Sequence, residues 1–317
     1  MKRKVNLVGE NTLTVSLPSK WIQKTGLKKG DELDIDEIEN KLMISAGIGK
    51  SKIRKAQLNI KGFNTLLLNR FLDEFYRSGI HEIELTNIPN QMYFYMTKEY
   101  LDFQTYLNNI LHRYIGMEIM QKNDDKVLIQ FIIKVEDYDK MESINLRVYF
   151  LIKEMIHEFQ GSLKNRVNLI KKAQEYHESI TRLLLYHSRL LNYSNISQDK
   201  KLRLFQFYSI LDILIGKIRN MSQKIMETKN ISAKVLIFLR DIFSLFEEQL
   251  DIVYKKTNTM RVEELIKDRY SMVNKLDKQK LTDADWRIIS ESKIFLDLIN
   301  YFCLTYISLH LEEFIEK

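Results

Sequence analysis

The chain has one cysteine, two prolines and ten glycines in 317 residues. The lone thiol, Cys303, excludes an internal disulfide and a thiolate zinc cage, and points to a reducing, cytoplasmic setting. No stretch offers the roughly 18 uncharged apolar residues that cross a bilayer, and the basic start lacks the apolar segment of a signal peptide. Neither secretion nor membrane insertion is therefore expected. Low-complexity tracts are also missing, and the 45% hydrophobic content is that of a folded chain. Its length suggests about two or three domains. The punctuation is unevenly spent. From Glu142 onward only Gly161 and Gly216 occur and there is no proline, whereas TLTVSLPSKWIQKTGLKKGDELDI, residues 12–35, holds Pro18, Gly26 and Gly30.

Charge is polarised over the same region. Lys2, Arg3, Lys4, Lys20, Lys24, Lys28 and Lys29 stand against Glu10 alone, and then Asp31, Glu32, Asp34, Asp36, Glu37 and Glu39 reverse the sign. A cationic face of this kind suits a polyanion. Locally, Thr12, Thr14 and Ser16 alternate with Leu13, Val15 and Leu17, which predicts a strand ended by Pro18. Ser19 is a candidate N-cap for a short helix over 20–25, and Gly26 can take the left-handed conformation that closes it. Gly30 and Asp31 turn the chain into two further strands, with Glu39, Asn40 and Lys41 as the hairpin between them.

Residues 5–44, VNLVGENTLTVSLPSKWIQKTGLKKGDELDIDEIENKLMI, resemble the AbrB/SpoVT type of DNA-binding domain. The marks are the strand closing on Leu17 and Pro18, Trp21 after Ser-Lys, Gly26-Leu27, and Lys29-Gly30-Asp31 before paired strands. The resemblance implies a swapped-hairpin β-barrel built by two chains, hence a homodimer that binds double-stranded DNA across a two-fold axis. Ile22 and Gln23 stand where some members carry arginines. The DNA contacts implied here are Lys2, Arg3, Lys4, Lys20, Lys24, Lys28 and Lys29, each to phosphate without base information. In such a dimer Leu13, Val15, Leu17, Trp21 and Leu33 are buried only between the chains.

Beyond a basic linker with Gly47, Gly49, Lys50, Lys52, Arg54 and Lys55, strands and helices alternate. The pattern predicts a strand at 57–60, a helix at 64–77 ended by Gly79, and a strand at 81–85. A helix at 98–114 ended by Gly116 follows, then strands at 117–121 and 127–133 around a turn at Asn123, Asp124 and Asp125. After Glu142 the sequence reads as six helices, broken near Gly161, 193–198, 229–232, 257–259 and 278–282. Leu204, Tyr208, Leu211, Ile215, Ile218 and Ile225 form one apolar stripe, with Phe205 off it. The expected organisation is a 1–48 barrel domain, a 49–140 α/β segment and a 141–317 all-α region of two tandem three-helix bundles.

That order of parts is similar to the archaeal PhoU-like phosphate uptake regulators, with GMEIMQKNDDKVLIQFI and MESINLRVYFLIKEMIHEF as the closest stretches. Members of that family set paired carboxylates on adjacent helices to hold metal clusters. Here one carboxylate of each pair is missing: Glu178 is followed by Thr181, and Asp212 by Gly216. No metal and no cofactor are expected. His157, His177 and His187, with Glu154, Glu158 and Glu178 nearby, are expected to be solvated or capping. Neither Ser188 beside His187 nor Cys303 makes a nucleophile–base pair, so no enzymatic activity is expected. Phe295, Tyr301, Phe302 and Tyr306 are expected in the core. The resemblance implies a DNA-binding regulator of phosphate homeostasis with a helical sensor. The alternative is an adaptor that uses the barrel for dimerisation and docks on a phosphate transporter or its signalling partner.

Overall fold

Two short hairpins and a two-turn helix make the first part of the chain. Gly9, at φ +70°, sits in the turn between β1 (Val5–Val8) and β2 (Thr12–Val15), which pair antiparallel with Val5 opposite Val15 and Leu7 opposite Leu13. Strand β1 precedes the expected order of strand, short helix and two strands. Helix α1 (Ser19–Thr25) follows directly on Pro18, which is itself the N-cap, so Ser19 is the first helical residue and not the cap. Gly26, at φ +72°, ends the helix, and its N–H returns to Ile22 O. Strands β3 (Asp34–Ile38) and β4 (Lys41–Ser45) then pair antiparallel.

The computed structural model describes residues 2–38, 41–45, 53–95, 97–133, 140–194, 196–255, 259–277 and 280–310. The expected turn at Glu39 and Asn40, and the linker over 46–52, lie outside them. The chain divides into two compact units, Met1–Ile53 and Arg54–Lys317.

In the second unit, β5 (Lys55–Asn59) leads through α2 (Thr65–Arg77) to the parallel strand β6 (Glu82–Thr86). Asn64 caps α2 by accepting from Leu67 N–H at 2.9 Å. A hairpin of β7 (Gln91–Phe94) and β8 (Glu99–Asp102) precedes α3 (Phe103–Leu111), capped by Asp102. Residues 99–102 are thus strand, where a helix from 98 was expected. The sheet is completed by β9 (Met117–Lys122) and β10 (Lys126–Phe131), in the order β5-β6-β10-β9. The turn between them is local side-chain chemistry, since Asn123 Oδ1 accepts from the N–H groups of Asp125 and Lys126. Ile83, Leu85, Val127 and Ile129 point into the core, while Glu82 and Glu84 on the other face pair with Lys55 and Lys126.

Six helices follow: α4 (Lys140–Ser162), α5 (Leu169–Leu191), α6 (Gln198–Glu227), α7 (Ala233–Lys255), α8 (Thr259–Asp277) and α9 (Asp283–Leu309). All six contribute to one continuous apolar core. The α6 stripe from Tyr208 to Ile225 is buried as its period requires, Leu204 is half-buried at its end, and Phe205 stays exposed. Phe295 and Phe302 are buried as expected, but Tyr301 is 58% exposed: it lies on the outer face of α9, away from the core. The side chain of Tyr306 lies outside the described residues.

The C-terminal end of α5 fastens the sheet layer to the helices by taking over the carbonyls at the end of α2. Arg189 Nη1 donates to Tyr76 O and Ile80 O, at 3.0 and 2.9 Å, and Tyr193 Oη donates to Gly79 O at 3.1 Å. Asn192 takes Arg77 O, and Arg54 takes Ser78 O. Carbonyls in the last turn of α2 and in the connection just after it, Tyr76 O accepting from Gly79 N–H as well, thereby become the attachment point. Leu185 of α5 completes the apolar core of the sheet layer.

Candidate nucleic-acid interface

Among the described residues, the N-terminal unit has cations without counter-ions and an apolar face without a cover. Lys20 and Lys24 lie one turn apart on α1, Lys28 and Lys29 follow the left-handed Gly26, and Lys2, Arg3 and Lys4 precede β1. All seven are exposed, and none forms an ion pair or a side-chain hydrogen bond with another described residue. The loop carrying Lys28 and Lys29 is held by Asp31, whose Oδ2 accepts from Lys28 N–H at 2.7 Å. One acidic residue of the reversed-sign segment is therefore structural. Ile22 is half-buried and Gln23 exposed on the same helix.

The register of β1 and β2 puts Val5, Leu7, Leu13 and Val15 on one face, at 62, 64, 69 and 49% exposure. Ile35 and Leu42 share a face of the second hairpin and are also exposed. Leu17, Trp21 and Leu33 are only half-buried, and no described residue of this unit is fully buried. Isolated two-stranded hairpins are marginal in water. Apolar faces of this kind need a cover from outside the unit. Val5 and Leu7 belong to this face, and their alternation before Gly9 is the signal that would have found them.

A comparison with family models matches residues 7–55 to the family described as antidote-toxin recognition MazE, bacterial antitoxin. The match begins at Leu7, after Lys2, Arg3, Lys4 and Val5, covers the rest of the N-terminal unit, and supports an AbrB-like DNA-binding domain there, compatible with a DNA-binding regulator. No curated protein and no solved structure matches the chain.

The residues singled out in the helical part have separate surroundings. Thr181 Oγ1 donates to Asp212 Oδ1 at 2.8 Å, and Arg77 Nη2 lies 3.8 Å from the other oxygen, so the two residues of the α5–α6 seam do meet, as a hydrogen bond. Among the described residues no group of three or more His, Cys, Asp or Glu side chains could hold a metal ion. His157 is exposed beside Glu247 at 3.0 Å. His187, expected to be solvated or capping, is instead buried, with its Nε2 3.0 Å from Tyr208 Oη, and burial pushes its pKa down to about 4. Ser188 donates its hydroxyl to Leu184 O, and burial pushes the Cys303 thiol up to about 12. Among the described residues, no helix is long and apolar enough to cross a membrane.

Proposed function

We propose that the chain is a dimeric, non-enzymatic DNA-binding transcriptional regulator of the cytoplasm. Two N-terminal units cover each other's apolar hairpin faces and present their cations to duplex DNA. The observation that carries this reading is the pairing of seven exposed cations, unpaired among the described residues, with the uncovered face of Val5, Leu7, Leu13 and Val15, in a unit whose residues from Leu7 onward are similar to the MazE antitoxins. Dimerisation answers the exposed apolar surface, and a two-fold array of lysines answers a regularly spaced phosphate backbone. The helical unit is assigned sensing or partner binding. Phosphate uptake is the process suggested by the order of parts, in the manner of the archaeal PhoU-like regulators.

The test is a salt titration of the full chain on promoter duplex, with a scrambled duplex as control, against a variant with Lys2, Arg3, Lys4 and Lys20 replaced by alanine. Each phosphate contact contributes roughly 0.9 to the slope of log affinity against log salt, so four lost per chain flatten the slope by up to about 7 in a dimer. No binding by the wild-type chain at low salt, or affinity and slope both unchanged in the variant, rejects the DNA-reading role. The adaptor reading would then stand, favoured by Ile22 and Gln23 in place of arginines: the N-terminal unit would serve dimerisation, and the helical unit would dock on a phosphate transporter or its signalling partner.

A further inference from the structure

Of the two edges of the β5-β6-β10-β9 sheet, one is guarded against a further strand and the other is not. Along β9 the register slips between Leu128 and Ile129, which leaves Met120 opposite no residue, and a bulge of this kind keeps an edge from accepting another strand. β5, at the other edge, runs in unbroken register with β6 from Lys55 to Asn59, and no described strand pairs with its outer side. Its one charge, on Lys55, is tied to Glu82 at 2.7 Å. Arg54 O accepts from Glu82 N–H, and Ile60 N–H reaches Thr86 O, so by alternation Lys55, Gln57 and Asn59 turn their N–H and C=O groups outward.

The helix over this edge has an apolar flank without a cover among the described residues. Helix α2, the crossover from β5 to β6, buries Leu68, Leu72 and Tyr76 on the sheet, and its Asn69 and Asp73 side meets α3 through Tyr106 and Tyr114. The opposite flank, on the β5 side, carries Leu67, Phe71 and Phe75 four residues apart, with Phe63 stacked on Phe71 at 5.6 Å. Leu67 and Phe71 are exposed. Arg70 and Glu74 border the stripe on its solvent side, and Arg70 has no ion pair with a described residue.

We propose that a second copy of this chain docks on the edge: two β5 strands pair antiparallel about a two-fold axis at Gln57, with the two α2 flanks closing over the joint. The outward groups confine the axis to Lys55, Gln57 or Asn59. At Lys55 it would oppose two lysines, and at Asn59 it would leave most of the strand unpaired. At Gln57 each Lys55 faces Asn59 of the other copy. A helix over the β5–β6 pair lies about one strand spacing from such an axis, so two of them stand about 10 Å apart, the distance of packed helices. The 13 residues of α2 return along about 20 Å, so the axis passes near the middle of the helix, between the copies of Phe71, and Arg70 of each comes beside Glu74 of the other. The contact is self-complementary and the β9 edges are bulged, so assembly closes at two chains. One step rests on the N-terminal dimer proposed above. Residues 46–54, between β4 and β5, reach at most about 30 Å, and the register sets the two Lys55 about 13 Å apart along the strands. The same two chains can therefore share both contacts, each raising the effective concentration for the other.

The test uses the full chain with added cysteines on β5, since Cys303 is buried and stays silent. Under mild oxidation with diamide, Gln57→Cys should give a covalent dimer, because hydrogen-bonded partners on the axis lie about 5.5 Å apart. Lys55→Cys alone should not, and Lys55→Cys mixed with Asn59→Cys should. Gln57→Pro removes no internal hydrogen bond, since that N–H points outward, and Phe71→Lys alters an exposed side chain. Both should keep the far-ultraviolet signal and weaken self-association, followed by light scattering, at least tenfold. Leu13→Asp separates this contact from the N-terminal one: in that background the Gln57→Cys dimer should still form, at a concentration at least tenfold higher. A Gln57→Cys dimer in a chain that fails the DNA titration supports the β5 contact and rejects the DNA reading alone. A dimeric chain without the Gln57→Cys product, equal product from Lys55→Cys alone, or unweakened association in both Gln57→Pro and Phe71→Lys overturns the proposal. A chain that is monomeric at micromolar concentration overturns it together with the N-terminal dimer.

Discussion

Replacing Arg189 by methionine is the sharpest test of what joins the sheet layer to the helices. The side chain is 0% exposed, and no carboxylate among the described residues pairs with it. Its charge is met by the carbonyls of Tyr76 and Ile80 at the end of α2, where the helix dipole is negative, and by the faces of Phe131 at 3.8 Å and Tyr76 at 5.0 Å. Two hydrogen bonds from a charged group contribute about 1.5–3 kcal/mol each, and a desolvated cation–π contact about 2. Against this stands the desolvation of the guanidinium, several kcal/mol, with Nε and Nη2 left unpartnered. Tyr76 O would keep the Gly79 N–H after the substitution. The net loss expected for Arg189→Met is therefore roughly 3 kcal/mol, carried by the junction. At about 1.4 kcal/mol per factor of ten, that is a drop of about a hundredfold in hydrogen-exchange protection around 76–83, while protection in α6 and α9 changes little. Arg189→Lys keeps the charge but loses the flat stack and the fork, so it should be no better than methionine. Unchanged protection at 76–83 in Arg189→Met would refute the reasoning.

Two further perturbations follow from single residues. His187 is held near a pKa of about 4 in the folded chain, against about 6.5 unfolded, so below pH 6.5 the unfolded chain takes up a proton that the folded chain refuses. Its contribution is complete above pH 6.5 and is lost as pH falls from there toward 4, by up to roughly 3 kcal/mol. Urea unfolding at several pH values should show a shallower acid loss in His187→Gln, and equal slopes would remove His187 as the cause. Gly116 sits at φ +83°, and a Cβ there would lie 2.8 Å from both Phe131 and Ile133 side-chain carbons. Gly116→Ala should cost about 2–3 kcal/mol, read as a lower urea midpoint, from left-handed strain plus overpacking. A midpoint unchanged from wild type contradicts that geometry.

Much of this architecture is legible wherever one physical cause acts within a few residues. Asn64 and Gly79 mark both ends of α2, and the spacing of Tyr208, Leu211, Ile215, Ile218 and Ile225 gives the buried face of α6. The β7–β8 hairpin was missed because its turn runs through Lys98 at φ +59°, and no glycine announces a left-handed position there. Arg189 reads in the sequence as one more solvated cation of a helix. Only the carbonyls of α2, more than 100 positions earlier, make it a core residue. Tyr301 fails the other way, an aromatic whose helical position faces solvent. In the interface, the seven cations were visible as a charge run. The apolar face was half visible, because Leu13 and Val15 alternate clearly, while Val5 and Leu7 gain meaning only from the register across Gly9.

The two units differ in what holds them together, and that difference can be measured. The helical unit buries a continuous core of its own, so its folding does not depend on chain concentration. The N-terminal unit buries no described residue fully, so its order in a dimer is tied to association by mass action. The two tryptophans separate the units: Trp21 lies half-buried on α1, and Trp286 lies on α9 at 40% exposure. In a Trp286→Phe variant the emission reports on Trp21 alone. On dilution from micromolar to nanomolar, that emission should shift to the red as the hairpin faces separate, while the far-ultraviolet signal of the long helices stays constant. Leu13→Asp, which puts a charge on the face shared with Val5, Leu7 and Val15, should move the midpoint of the shift to higher concentration by at least tenfold. Trp21 emission that is independent of concentration, with light scattering showing a folded monomer, would mean that the apolar faces are covered in some other way, and the two-fold DNA site would fall with the dimer.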